Sequence, residues 1–196
     1  DQTLKVIKQN INGITKLSKE RIFSELSKIL NLENVVEVFS NKELSEIFKI
    51  IFPEFRYTER LKGINNEVFK KFIKSEKYLL FALLLLDESD NHIYFSHKYK
   101  VSNYLKEHLI FCHKYFNELK KNKNFFTKDL KKNIFYYGKE NIKFLAKLYF
   151  IFLSKKNYLN LTNILKEIDS MNVPKFPITG KYLLDQGFKS GRKVGE

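Results

Sequence analysis

Apolar residues recur along this chain at the three- and four-residue spacings of a helical face, one element after another. Leu4, Ile7, Ile11 and Ile14 already keep that spacing ahead of Ser18. The Ser18 hydroxyl is suited to accept from a backbone N–H of the next turn, and Glu20 stands near the positive end of the helix dipole, so a helix is predicted to start there. Ile22, Leu26, Ile29 and Leu30 form its apolar stripe, with Lys19, Glu25 and Lys28 toward water. Asn31 and Asn34 punctuate the chain before a short helix through Val35, Val36 and Phe39. Asn41 then caps another through Leu44, Ile47, Phe48 and Ile51, which Pro53 ends because proline lacks the N–H and clashes with the previous turn. One or two further turns are expected over residues 56–61, before Gly63.

Residues 67–86 are apolar almost all round, as expected of a helix enclosed on several sides, and mark the predicted centre of the core. Asp87, Glu88 and Asp90 read as a solvated loop. Ser96 is predicted to cap a long helix carrying Val101, Leu105, Leu109, Cys112 and Phe116, with residues 120–123 as its solvated end. Thr127 opens a helix that closes near Gly138. Ile142, Leu145, Leu148, Tyr149 and Phe152 mark the next, and Leu161, Ile164, Leu165 and Ile168 the last long one. Without a fixed-period repeat, this order predicts an all-α, irregular multi-helix bundle. The texture changes at Asn172, beyond which Pro174, Pro177, Gly180, Gly187, Gly191 and Gly195 crowd into a short basic stretch.

Composition narrows the picture. With 196 residues, 43% of them hydrophobic, the chain can bury a core, and 7 Gly with 3 Pro are too few for the turns of a β-rich fold. A formal charge of +14 suits a polyanion: RNA, DNA or anionic lipid. Only Arg21, Arg56, Arg60 and Arg192 are arginine, so drift toward Lys, Asn, Ile and Phe codons in an AT-rich genome is a second source of that charge. The alternative function is then a helical protein–protein interaction module. Cys112 is the sole cysteine, which excludes an internal disulfide and fits a reducing, cytoplasmic setting. The strongest apolar run, residues 78–86, is too short to span a bilayer, no signal peptide opens the chain, and no membrane partner is expected.

Catalytic chemistry is harder to place. Nucleotidyl transfer needs carboxylates that hold two metal ions beside a loop cradling the triphosphate, and the chain has no Gly-Ser, Asp-x-Asp constellation. His108 and Cys112 share a helical face, but two ligands do not make a zinc site. There is no Walker loop or nucleophile elbow. No catalytic or metal residue is assigned.

Two segments carry a family resemblance. Leu17-Ser18-Lys19-Glu20-Arg21-Ile22, followed by Glu25-Leu26, is similar to the Ser-x-Glu-Arg-Ile-x-x-Glu motif in the neck of bacterial class II tRNA nucleotidyltransferases. Pro174-Lys175-Phe176-Pro177-Ile178-Thr179-Gly180-Lys181, then Leu183-Leu184, Gly187, Gly191 and Val194-Gly195, resembles the tail signature of the same family, which includes poly(A) polymerases. The intervening Phe52-Pro53-Glu54, Ser96 and Tyr137-Gly138 follow the family's order. Tyr182 departs from its usual aspartate and Arg192 from its usual proline.

The resemblance implies a neck remainder over residues 1–31, a helical body over 32–171 and a Pro/Gly-rich basic tail over 172–196, as a C-terminal portion whose catalytic head lies upstream. It implies tRNA or another structured RNA as partner, rather than DNA, with the 3′ end presented to that head for template-independent nucleotide addition. Magnesium and nucleoside triphosphates (ATP, CTP) belong to the intact enzyme, and this portion should be inactive alone. Gly180, Lys181, Lys189, Gly191, Arg192 and Lys193 are the candidate RNA contacts, because glycines let backbone N–H groups approach phosphate closely. Ser18, Glu20 and Arg21 are the structural residues of the neck motif.

Overall fold

The computed structural model describes residues 2–62, 64, 66–74, 76–153, 157–173, 179–188 and 191. Every regular element among them is helical, as the periodicity predicts. Helix α1 (Gln2–Asn10) runs into a 3-10 segment at Ile11–Lys16, and α2 (Lys19–Leu30) starts at Ser18, whose Oγ accepts from Arg21 N at 3.2 Å. Helices α3 (Val35–Ser40) and α4 (Lys42–Ile51) meet at Asn41. Its Oδ1 accepts from Leu44 N at 3.1 Å, and α4 ends before Pro53.

Residues 67–86 are not one helix. A short α5 (Asn66–Val68) widens into a π-helical turn at Phe69–Ile73, and the chain restarts as α6 (Lys77–Leu85). Residues 79–86 are all buried, so α6 is enclosed on every side, whereas Lys70, Lys71 and Lys74 have to reach water. Val68, Phe72 and Ile73 nevertheless stay in the core, so the wide turn keeps one apolar face inward and its lysines outward, where α6 is apolar all round. Arg60 closes the far end of α6. Its Nη1 donates to Leu83 O at 2.9 Å and Leu86 O at 2.7 Å, a cation on the negative end of the helix dipole, and its guanidinium lies 3.7 Å from the centre of the Tyr57 ring.

Ser96 is not the cap of the long helix. It lies inside α7 (Asn91–Lys98), its Oγ donating to His92 O, and Ser102 caps α8 (Asn103–Lys121) instead by accepting from Leu105 N at 3.3 Å. Val101 falls in the link between the two. Thr127 sits in a turn before α9 (Leu130–Tyr137), which is joined to α10 (Lys139–Leu148) at Gly138. A second π-helical turn at Tyr149–Leu153 follows, then α11 (Tyr158–Ser170) and α12 (Gly180–Asp185). One hydrophobic core runs from Ile22 to Ile168 around α6, and α1 and α12 contribute no buried residue to it. No helix among the described residues is long and apolar enough to cross a membrane.

Candidate nucleic-acid interface

The strongest concentration of positive charge lies where α8 ends and α9 begins. Residues 114–139 carry 8 Lys against Glu118 and Asp129. The chain there is held as a defined turn rather than a loose loop. Phe125 and Phe126 are buried beneath it, and the Asn133 side chain donates to Phe125 O at 3.0 Å. Asn122 Nδ2 donates to Asp129 Oδ2 at 3.1 Å, which occupies one of the two acids in the segment, and Asn124 N donates to Asn122 Oδ1 at 2.9 Å. Lys121, Lys123, Lys128, Lys131 and Lys132 all project to solvent from this frame, and none forms an ion pair among the described residues.

Helix α9 separates its two faces sharply. Leu130, Asn133 and Ile134 are buried, while Lys131, Lys132, Phe135 and Tyr136 are exposed one turn apart on the opposite side, with Lys128 just before them. The exposed face borders a cavity of about 430 Å³ whose far wall is Met171 to Val173, the segment leaving α11. Lys139 Nζ donates to Asp169 O at 2.9 Å and Lys143 Nζ lies 2.7 Å from Asp169 Oδ1, so the end of α11 is tied to the start of α10 and the two walls keep their spacing.

The residues expected from sequence are more dispersed. Thr179 Oγ1 accepts from Tyr182 N at 3.1 Å, starting α12 at Gly180, and Gly187 closes it at φ +88° with Gly187 N donating to Leu184 O and Phe188 N to Leu183 O. That pair of bonds is a Schellman closure, which needs a left-handed residue at Gly187. Gly180, Lys181 and Gly191 are exposed, and space is open around a Cβ added at Gly187 or Gly191. Lys189, Arg192, Lys193 and Pro174 to Ile178 lie outside the described residues. In the neck motif, Ser18 is a cap, Arg21 is exposed, and Glu20 does more than complement a dipole: its Oε1 sits 2.6 Å from Lys100 Nζ in the α7–α8 link. The Lys100 hydrogen bond holds the Glu20 carboxyl below its ordinary range.

Asp87 corrects the expectation of a solvated acidic loop. It is buried, accepts from Ser89 N and Ser89 Oγ, and faces Arg56 Nη1 and Tyr57 OH, each at 3.4 Å from Oδ2. Burial raises its pKa, but the Ser89 hydrogen bonds and the Arg56 charge outweigh that and leave the carboxyl below its usual range. Nothing in the spacing of Asp87, Glu88 and Asp90 distinguishes the buried member, since its partners Arg56 and Tyr57 lie far back in sequence. Nearby, His92 and His113 stack with ring centres 4.3 Å apart, and burial together with the neighbouring imidazole pushes His92 down to about 4.

Metal chemistry finds no donor set here. Among the described residues no group of three or more His, Cys, Asp or Glu stands together, so the residues present do not fit a magnesium pair and no catalytic step is assigned to them. Cys112 is fully buried, burial pushes its thiol up, and the His108 ring meets Phe144 edge-on with centres 4.1 Å apart. Both are packing residues.

Residues 1–58 match the family model described as the probable RNA and SrmB-binding site of polymerase A. This relates the N-terminal segment to RNA binding in poly(A) polymerase-type proteins. No curated protein matches the chain. The matched segment covers α1 to α4, and its charge is nearly balanced: 9 Lys and Arg against 8 Asp and Glu. The remaining residues hold 27 against 14. Almost the whole positive excess therefore lies beyond the matched segment, with the α8–α9 surface as its densest part.

Proposed function

We propose that this chain is an RNA-holding helical unit of a poly(A) polymerase or tRNA nucleotidyltransferase, with neck, body and tail over residues 1–31, 32–171 and 172–196. It grips tRNA or another structured RNA and presents the 3′ end to a catalytic head in the same protein. The head adds CMP and AMP, or AMP alone, from nucleoside triphosphates with magnesium. The observation that carries this reading is the RNA-binding family match over residues 1–58. Lys121, Lys123, Lys128, Lys131 and Lys132, exposed and without ion pairs among the described residues, support it, because folded RNA is read mainly through shape, phosphate and 2′-OH, for which lysines on a rigid scaffold suffice. Gly180, Lys181, Lys189, Gly191, Arg192 and Lys193 form a second contact in this reading.

A protein partner is the second reading, for the matched segment in particular. The matched family's description names SrmB beside RNA, and the segment combines balanced charge with exposed Val6, Ile7, Leu17, Leu32 and Ile50. A surface of nearly balanced charge gains little from counterion release on a polyanion, which favours a protein there. Filter binding of tRNA from 50 to 300 mM salt tests the RNA reading. The expected result is a log–log slope of about −3 or steeper, and weak binding with no slope refutes it.

A further inference from the structure

We infer that the groove between α9 and the segment leaving α11 is a stacking site for an unpaired nucleotide of the bound RNA, an inference that rests on the RNA reading above. Tyr136 is 65% exposed and Phe135 43%, on a helix whose other face is fully packed. Their rings stand nearly perpendicular, centres 5.5 Å apart, and both line the groove. Lys128, Lys131 and Lys132 line the same groove, and its far wall is apolar at Met171 and Val173. Open aromatic faces flanked by unpaired cations match the two parts of a nucleotide: a flat base with a π-face and a phosphate with one negative charge.

The match is to an unpaired base specifically, because neighbours in a helix already cover both faces of a paired one. An acidic peptide would satisfy the lysines but leave the ring faces without a planar partner. A membrane surface needs a longer apolar face than the eight residues of α9 offer. Asp129, the nearest acid in the sequence, accepts from Asn122 and keeps its single charge, against which Lys128, Lys131 and Lys132 leave the rim net positive. The volume of about 430 Å³ is in the range of small-molecule sites and has room for one nucleotide.

The chain contains no tryptophan, so Tyr136→Trp places a single fluorophore in the groove while keeping a ring face. Titrating this variant of the 196-residue chain with a single-stranded RNA of twelve nucleotides should quench its emission, and a blunt RNA duplex of two complementary strands should leave it unchanged. Tyr136→Leu, which keeps apolar area without a π-face, should weaken single-strand binding about fivefold or more, since one stacked base accounts for roughly that or greater. Its duplex affinity and salt slope should stay within twofold of the original. Single-strand RNA that binds by filter assay without quenching Tyr136→Trp, or unaltered single-strand affinity in Tyr136→Leu, overturns the stacking site and leaves the RNA reading standing. Binding of neither RNA at 50 mM salt overturns both. Equal quenching by poly-glutamate assigns the groove to acidic proteins and likewise overturns it.

Discussion

Replacing Lys121, Lys123, Lys128, Lys131 and Lys132 together with glutamine separates the α8–α9 surface from the rest of the chain as an electrostatic anchor. All five are exposed and lack ion pairs among the described residues, so the change should shift folding stability by under about 0.5 kcal/mol per site. Each phosphate neutralised by a cation contributes roughly 0.7 to 0.9 to the log–log dependence of affinity on salt. If four of the five lysines engage phosphate at once, the slope should flatten by about 3. At 0.1 M salt each unit of slope is worth a factor of ten in counterion release, so tRNA affinity should fall by about a thousandfold. The matched control replaces Lys5, Lys16, Lys19, Lys42 and Lys49 in residues 1–58, where lysines alternate with nearly equal numbers of acids. Its slope should change by less than about 1. Filter binding of labelled tRNA at five salt concentrations reads both variants. Equal flattening in the two, or a larger effect in the control, would refute the assignment of the anchor to α8 and α9.

Two further changes probe the scaffold. His92 sits at about 4 in the folded chain against 6.5 as the ordinary value, so below pH 6.5 the unfolded chain takes a proton that the folded one refuses. Stability should be unaffected by this group above pH 6.5 and fall by roughly 2 to 3 kcal/mol from it by pH 4.5; urea unfolding of His92→Gln should lose that part of the pH slope, and parallel slopes would contradict it. Gly138 joins α9 to α10 at φ +79° and ψ 155°, a conformation that L side chains avoid, so Gly138→Ala should cost about 2 kcal/mol in urea unfolding although its Cβ meets open space, and a change below 0.5 kcal/mol would count against strain at that turn.

The helices were legible where a stripe and a cap coincide. Ser18 and Asn41 have both, and each caps as expected. Ser96 and Ser102 stand six residues apart before the same apolar spacing, and sequence alone does not say which one leaves the helix. The π-helical turn at Phe69–Ile73 was missed for a different reason: Lys70, Lys71 and Lys74 give that stretch a polar face that residues 78–86 lack, and reading 67–86 as one apolar helix passed over the change. The buried role of Asp87 depends on Arg56 and Tyr57, which only the tertiary fold brings near. The α8–α9 surface was present in the sequence as the lysines of residues 120–132. Its aromatic members Phe135 and Tyr136 were not singled out, because the helix expected from Thr127 to Gly138 was read without assigning its faces; the buried positions are Leu130, Asn133 and Ile134.

The balanced charge of residues 1–58 and the basic surface beyond them are joined through one core, which affects how the family match is to be understood. Near the end of the matched segment, Phe55 stacks on Phe95 of the chain that follows and Phe52 packs at a tilt against Tyr99. Glu54 Oε1 lies 2.7 Å from Lys98 Nζ, and Glu54 O accepts from Asn91 Nδ2 at 2.9 Å. Cutting after residue 58 would expose those rings and strand a buried carboxylate, so the matched segment is not a separable module. Whatever binds the end of α4 and the turn after it therefore meets a surface packed against α7, and the buried rings of Phe95 and Phe81 continue that packing into α6. A partner on the neutral side and RNA on the basic side would then be held at a set distance by packing alone, without a moving part.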